Sequence, residues 1–474
     1  MSFYELSKIN SVKGVADDEL ANINALIETW WRKRPRNVLR DRYYNSHNRL
    51  KDLGIAIPPK LRNIETYIGW PAKAVDYLAD RSVLEGFTFE GVDANDTLDA
   101  VMTENDFLAI YSQAVTDALT SSFSLLSVTK GAAGEPDALV SAHSARDCSV
   151  AWNYRLNRIE SALVVADVRT DSSGMIIGPK LLNYFTSDEV ITLSWRRNGR
   201  WVLEARQKHS QGQPLVEPIR HAPKLGRPLG RSRITRTVMA LTDSAVREAL
   251  RSEISAEFFT APQKYILGAD DSLFEEKTKW EAYIGCYMAI AAEEGEPNPE
   301  IGQLPQGSMQ PHADYERQLA AKLSGETSIP ISSLGVIHDN PSSAEAIYAA
   351  KEDIVIKAQN FNRDNKSALC RIGKLMLAVA EGKKMNDLPS DIATIAPRFM
   401  NPAIPSIASQ TDAVVKQVSA VPEFASTRVF WEQLGYDDAQ IMRIQSDIRR
   451  ARASATAATF FGGLPQGGER DKNE

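Results

Sequence analysis

Apolar residues recur every three or four positions along the first hundred residues, alternate through most of the second hundred, and return to helical spacing afterwards. From Asp17 to Trp31 the mixture is helical, with acids in the first turn, where the helix dipole favours them. Pro35, inside the basic run Arg32-Lys33-Arg34-Pro35-Arg36, predicts an interruption. A second helix is predicted over about Leu61 to Leu84, with Ile64, Ile68, Val75 and Leu78 on one face and a kink at Pro71.

Between about Ser121 and Gln207 the period is two, in Ser122 to Val128, Ser161 to Val168 and Val190 to Trp195. Asn198-Gly199 lies between two apolar runs and predicts a hairpin with a two-residue turn, because such a turn needs positive φ. These runs predict an antiparallel sheet set between helical parts. The Pro- and Gly-rich stretch Gln211 to Pro228 predicts an irregular connection.

Helical spacing resumes over about Ser232 to Thr260, ended by Pro262, and Gln263 to Leu267 reads as a short strand. A further helix is predicted from Pro311 to Leu323, with Gly325 as a left-handed cap. Ser342 and Glu345 form a capping-box pattern that opens a helix reaching Gly382. About forty residues at 1.5 Å each span roughly 60 Å. Prolines break the chain from Pro389 to Pro405, and helices follow at 406–420, 423–434 and 437–460.

Composition narrows the function. The net charge is −6, whereas a protein that grips phosphates usually carries a basic excess. Cys148, Cys286 and Cys370 are widely spaced, without a CxxC pair, as expected in a reducing compartment. The start lacks a signal peptide's order, and no apolar run nears the ~18 residues of a membrane span, which predicts synthesis in a cytoplasm and no membrane partner.

Catalytic motifs are sparse. The chain has no GxxxxGK[ST], HExxH or GxSxG, and its six histidines are scattered, so no catalytic residue, cofactor or metal is expected. His143 to Asp147 only faintly echoes a kinase loop and reads as a turn at a strand edge. Arg32 to Arg42, with Trp30, Trp31, Tyr43 and Tyr44, fits either a solvated helix end with inward aromatics or a nucleic-acid surface. The basic stretch holding Arg227, Arg231, Arg233 and Arg236 suits either a neighbouring subunit's acids or DNA. The acidic stretch with Asp270, Asp271, Glu275, Glu276, Glu293 and Glu294 either repels DNA across a channel or suits a basic partner.

Several collinear segments resemble one family. They are Tyr43-Tyr44, Leu53 to Pro59, Trp70-Pro71, Val75-Asp76, Leu84 to Phe87, Gly230 to Thr235, Leu241-Thr242-Asp243, Ala256 to Gly268, Ser308 to His312, Gly325 to Thr327, Ser333 to Gly335 and Asp339 to Ile347. Together they resemble portal proteins of actinobacterial tailed phages, within the SPP1-type portal family. The resemblance implies an α+β portal fold with a mostly helical wing, stem and crown, an antiparallel sheet in the wing and a small mixed clip. Laid on this chain, it implies a wing at 1–229, a stem helix at 230–261, a clip at 262–308 and a second stem helix at 309–325. A tunnel loop at 326–341, a long wing helix and connection at 342–405, crown helices at 406–461 and a disordered tail at 462–474 follow.

The same resemblance implies a homo-oligomeric ring, usually of twelve subunits, at one capsid vertex of the virion. Double-stranded DNA would pass through it during packaging and ejection, without sequence specificity. The clip acids would dock the terminase large subunit and then the head-completion adaptor; major capsid and scaffolding proteins would be further partners. Ser328, Ile329, Pro330, Ser333, His338, Asp339 and Asn340 would belong to the tunnel loop. Other phage head proteins and phage-encoded enzymes are the rival classes; the collinear segments oppose the first and the empty motif search the second.

Overall fold

The computed structural model describes residues 4, 6–50, 66–90, 95–260, 264–267, 300–303, 307–336, 344–389, 392–403, 407–436 and 438–461. Helix α1 (Asp17–Tyr44) buries Leu20, Ile23, Ile27, Trp30, Arg34, Asn37 and Asp41 at steps of three and four. It runs unbroken through Pro35, contrary to expectation. Pro35 lies on the exposed side, where water can serve the carbonyl it leaves free. On the buried side Arg34 Nη1 donates to Tyr4 O at 2.8 Å, and Asn37 Nδ2 to Ala145 O at 3.0 Å. Asp41 pairs with Arg146 at 2.6 Å. These contacts bracket the proline and hold the helix straight through it.

Helix α2 (Trp70–Ala79) is shorter than the expected Leu61–Leu84 element, whose first residues, 61–65, lie outside the described residues. Pro71 stands in its first turn, where no N–H is needed, so it starts the helix instead of kinking it. Strand β1 (Leu84–Thr88) takes the end of the expected helix. Two helices not foreseen follow, α3 (Asp96–Glu104) and α4 (Phe107–Ser121). Asn95 Oδ1 caps α3 by accepting Leu98 N at 2.9 Å. Helix α4 buries Phe107, Tyr111, Ala114, Val115, Ala118 and Leu119, so its apolar face reads continuously into the core.

The alternating region makes two antiparallel sheets rather than one. The smaller has the order β3-β2-β9, from β2 (Phe123–Lys130), β3 (Ala138–Ser144) and β9 (Val216–Arg220). The larger is a meander of β4 (Cys148–Asn153), β5 (Arg158–Thr170), β6 (Ile176–Phe185), β7 (Glu189–Arg196) and β8 (Arg200–Lys208). Arg197-Asn198-Gly199 turns β7 into β8 as a three-residue loop, one residue longer than expected, with Arg196 paired to Arg200 and Gly199 at φ 76°. One face of the meander, Leu163, Leu182, Tyr184, Ile191 and Leu193, packs on the apolar stripe of α1. The other, Ala162, Val164, Phe185 and Val190, joins the main core under α4. The segment His143 to Asp147 is the end of β3 and the turn at 145–147 that follows it, as expected, and His143 Nε2 lies 2.8 Å from Ser127 Oγ.

Helix α5 (Arg236–Thr260) pairs with α6 (Gln310–Thr327), and Trp70, Val238, Ala245, Leu319, Ala320 and Leu323 fill the seam. Strand β10 (Lys264–Leu267) pairs antiparallel with β11 (Glu300–Gln303). Helix α7 (Ala344–Ala380), about 55 Å long at 1.5 Å per residue, buries Ile354, Ala358, Phe361, Leu369, Ile372 and Met376. Ser342 of the expected capping box lies outside the described residues. Asn365, fully buried on α7, accepts Arg220 N at 2.8 Å and donates to Arg220 O at 3.0 Å. It thereby satisfies both backbone groups of Arg220 at the end of the β9 edge. Strand β12 (Ala396–Phe399) returns to pair with β1.

Residues 403–474 form a separate unit, with helices α8 (Ile407–Ala420), α9 (Arg428–Gln433) and α10 (Asp438–Phe461). Phe424, Phe430, Trp431 and Tyr436 pack edge-on or tilted against one another around α9. Among the described residues no helix is long and apolar enough to cross a membrane.

Candidate functional site

Several of the segments that carried the resemblance, Tyr43-Tyr44, Trp70 to Asp76, Gly230 to Thr235, Leu241 to Asp243 and Gly325 to Thr327, lie around the start of α5 and the end of α6. Ser308 to His312 lie at the opposite end of that pair, and Leu53 to Pro59 lie outside the described residues. Gly230 opens the approach to α5 with φ 74°, and a Cβ there would stand 2.1 Å from His221 O, so only glycine fits. Ser232 Oγ donates to Thr120 O at 2.5 Å and accepts Ile234 N at 2.9 Å. Arg233, only 6% exposed, donates from Nε to Ala74 O and from Nη2 to Thr327 O at 2.7 Å. Burial and then the charge of Arg231 lower its pKa to about 10. Thr235 Oγ1 accepts Val238 N at 3.2 Å and so caps α5, which explains a start at Arg236 rather than Ser232.

Two tyrosines of α1 clamp the same region. Tyr43 OH lies 2.9 Å from both Asp243 carboxylate oxygens, and Tyr44 OH donates to Asp76 at 2.9 Å. Burial first, and then the facing carboxylate, holds both phenols well above their usual range. Sequence reasoning missed these pairs because 200 and 32 residues separate the partners and no local pattern marks them.

The far end of α6 also departs from expectation. The helix passes through Gly325 and ends at Ser328, whose φ is 59°. Arg233 serves the Thr327 carbonyl, and Ser324 Oγ donates to Ile329 O at 2.7 Å, so the last turn is closed without a glycine. Ile329 is fully buried and Pro330 is buried too, while Ser333 Oγ reaches Tyr77 OH at 3.3 Å from the turn Ile331–Leu334. The described part of the expected tunnel loop is thus anchored on its own chain. His338, Asp339 and Asn340 lie outside the described residues, as do Asp270, Asp271, Glu275, Glu276, Glu293 and Glu294.

Of the four arginines singled out, Arg227, Arg231 and Arg236 are exposed. Arg233 differs from the other three: it is buried, and its guanidinium donates to two carbonyls of its own chain. A cavity of about 190 Å³ beside it is lined by Arg231, Arg233, Lys357, Glu326 and Asp364, a seam of mixed charge.

One constellation looks catalytic and is better read as a clamp. His312 on α6 lies 2.6 Å from Glu248 Oε1 and 3.0 Å from Ser255 Oγ, both on α5. Ser255 sits inside a helix, where neighbouring N–H groups are already bonded to carbonyls, so no donor pair awaits an oxyanion. The three side chains bolt α5 to α6. Among the described residues no group of three His, Cys, Asp or Glu could hold a metal.

Together these hydrogen bonds fix the α5–α6 pair to the sheet-bearing body. Residues 23–453 match the family described as Phage portal protein, SPP1 Gp6-like, and the chain belongs to that family. It is 25% identical over 392 residues to the portal protein of Mycobacterium phage L5, covering 79% of this chain and 77% of that one. The portal protein of Mycobacterium phage D29 is likewise 25% identical, over 387 residues with the same coverage. Among solved structures, the neck of an empty gene transfer agent particle with C6 symmetry is similar at 13% identity and a TM-score of 0.46. That likeness covers 85% of this chain and 93% of the other.

Proposed function

We propose that this chain closes head to tail into a ring at one capsid vertex and conducts double-stranded DNA during packaging and ejection. The observation that carries the proposal is the family match over residues 23–453. In this reading residues 1–229 form the wing and α5 with α6 the stem. Residues 262–308 form the clip, 326–341 the tunnel loop, α7 with the connection to 405 a wing support, and α8 to α10 the crown. The clip acids would dock a terminase, which hydrolyses ATP, and later the head-completion adaptor. A net charge of −6 suits a wall along which a polyanion slides, since tight phosphate contacts would arrest it. Conduction is passive in this account, and the chain itself performs no catalysis.

Gold label on a tag fused to this chain tests the location. Purified virions should carry the label at one vertex per head, where the tail joins. Label at every vertex, or none in the virion, contradicts the reading.

A further inference from the structure

The two basic stretches of the sequence meet in space. Arg40 Nη1 donates to Ser121 O at 2.7 Å, and His221 N donates to Ser122 O at 3.0 Å, so the end of α1 and the turn after β9 share one point of backbone. Lys224 and Arg227 close that turn with reciprocal backbone bonds of 3.1 and 2.8 Å. Leu225 at its tip is 100% exposed, an apolar side chain offered entirely to water. Arg32, Lys33, Arg36, Lys224 and Arg227 are exposed. Partial burial lowers the pKa of Lys33 and Arg40, and the charges of Arg36 and Arg227 lower both further, which shows how close the cations lie. Glu28, one turn before Arg32, turns instead to Lys8 at 3.8 Å.

The opposite charge gathers elsewhere on the same chain. Between Glu90 and Ser144 the only Lys or Arg is Lys130. Asp96, Glu104, Asp106, Glu135 and Asp137 are exposed there. Asn105 ties the α3–α4 junction to the start of β3, donating to Ala138 O at 2.9 Å and accepting Val140 N at 2.8 Å. The acids of α3 and of the loop before β3 therefore share a corner.

Register separates the two corners. In the sheet β3-β2-β9, Arg220 pairs with Phe123 at one end of β2, and Ala138 pairs with Lys130 at the other. The basic turn leaves the β9 edge, and the acidic loop enters the β3 edge. Seven steps of about 3.3 Å and two strand spacings of about 4.8 Å put the corners roughly 25 Å apart. They cannot neutralise each other within one chain.

We propose that the basic corner (Arg32, Lys33, Arg36, Lys224, Arg227) docks on the acidic corner (Asp96, Glu104, Asp106, Glu135, Asp137) of a second copy of this chain. This rests on the ring reading above. A head-to-tail ring joins two different faces of one subunit, and here one chain carries complementary faces at diagonal corners. Opposite charges steer the encounter and fix its register, while the neighbour covers Leu225.

A charge swap tests this by light scattering at low salt. Lys33→Glu/Arg36→Glu/Arg227→Glu and Asp96→Lys/Glu104→Lys/Asp137→Lys should each fold, by circular dichroism, and each lose the ring mass that the wild type shows. Mixed in equal amounts they should regain it, since alternating subunits then present opposite charges at every contact. Lys33→Gln/Arg36→Gln/Arg227→Gln, which only removes charge, should weaken assembly in the same direction and guards against misfolding of the reversed variant. Rings from either reversed variant alone, or a mixture that stays monomeric, overturn the inference and leave the ring reading standing. So does a basic-corner variant that keeps its ring and loses only retention on DNA. A wild type that forms no ring removes the ring reading itself, and this inference with it.

Discussion

Replacing Arg233 with alanine is expected to lower the free energy of unfolding by about 3–5 kcal/mol. Hydrogen bonds from a charged donor contribute about 1.5–3 kcal/mol each, and the substitution removes two while leaving buried acceptors behind. The acceptors are Ala74 O on α2 and Thr327 O at the end of α6, so the loss falls where the helix pair joins the body. Arg233→Lys should recover little. A single ammonium on a flexible stem cannot hold the fork that spans two carbonyls from different elements. Urea unfolding followed by circular dichroism measures the change as a lower midpoint. A loss under about 1 kcal/mol would show that the hub does not depend on this guanidinium.

The second large effect lies under α7. Arg371 holds Glu217 of β9 with two bonds, Nε to Oε1 at 2.6 Å and Nη2 to Oε2 at 2.7 Å, and Glu217 is 5% exposed. Burial pushes the Glu217 carboxyl up, and Arg371 pulls it back down. Arg371→Ala strands that carboxyl in the interior, with an expected loss of about 3–5 kcal/mol. Replacing both partners, as Glu217→Leu with Arg371→Met, should cost far less, because the desolvation of two charges disappears with the pair. Unfolding midpoints of the single and double variants form a cycle that isolates the coupling. A double variant as unstable as the single one would show that the pair is not the source of the loss.

What sequence could show depended on whether the deciding contact was local. Asn198-Gly199 was legible as a turn because positive φ is a property of the residues at the turn. Helix α7 was legible from its own spacing, and its observed span, Ala344–Ala380, lies within the expected one. Pro35 misled because the contacts that carry α1 past it come from Tyr4, Ala145 and Arg146. Gly325 misled because the helix runs one turn farther, to Ser328, which takes the left-handed conformation itself and bonds its N–H to Ser324 O. Arg233, 94 residues away, serves the Thr327 carbonyl. The single sheet became two because alternation gives strand faces and not strand partners. Strands β1 and β12 were invisible for the same reason, their partners lying some three hundred residues apart.

The candidate site was legible as a set of segments but not as an arrangement. Gly230 to Thr235 stood out, and Arg233 was expected to face DNA or a neighbour. Its burial depends on Ala74 and Thr327, which no spacing rule connects to it. The three exposed arginines, Arg227, Arg231 and Arg236, remain available to a neighbouring subunit.

In the proposed function this chain builds a ring with a channel. The mass of the purified protein by light scattering, with negative-stain images of the same sample, tests it most directly. The account predicts a particle near twelve subunits with a central hole. A compact dimer without a hole would contradict it.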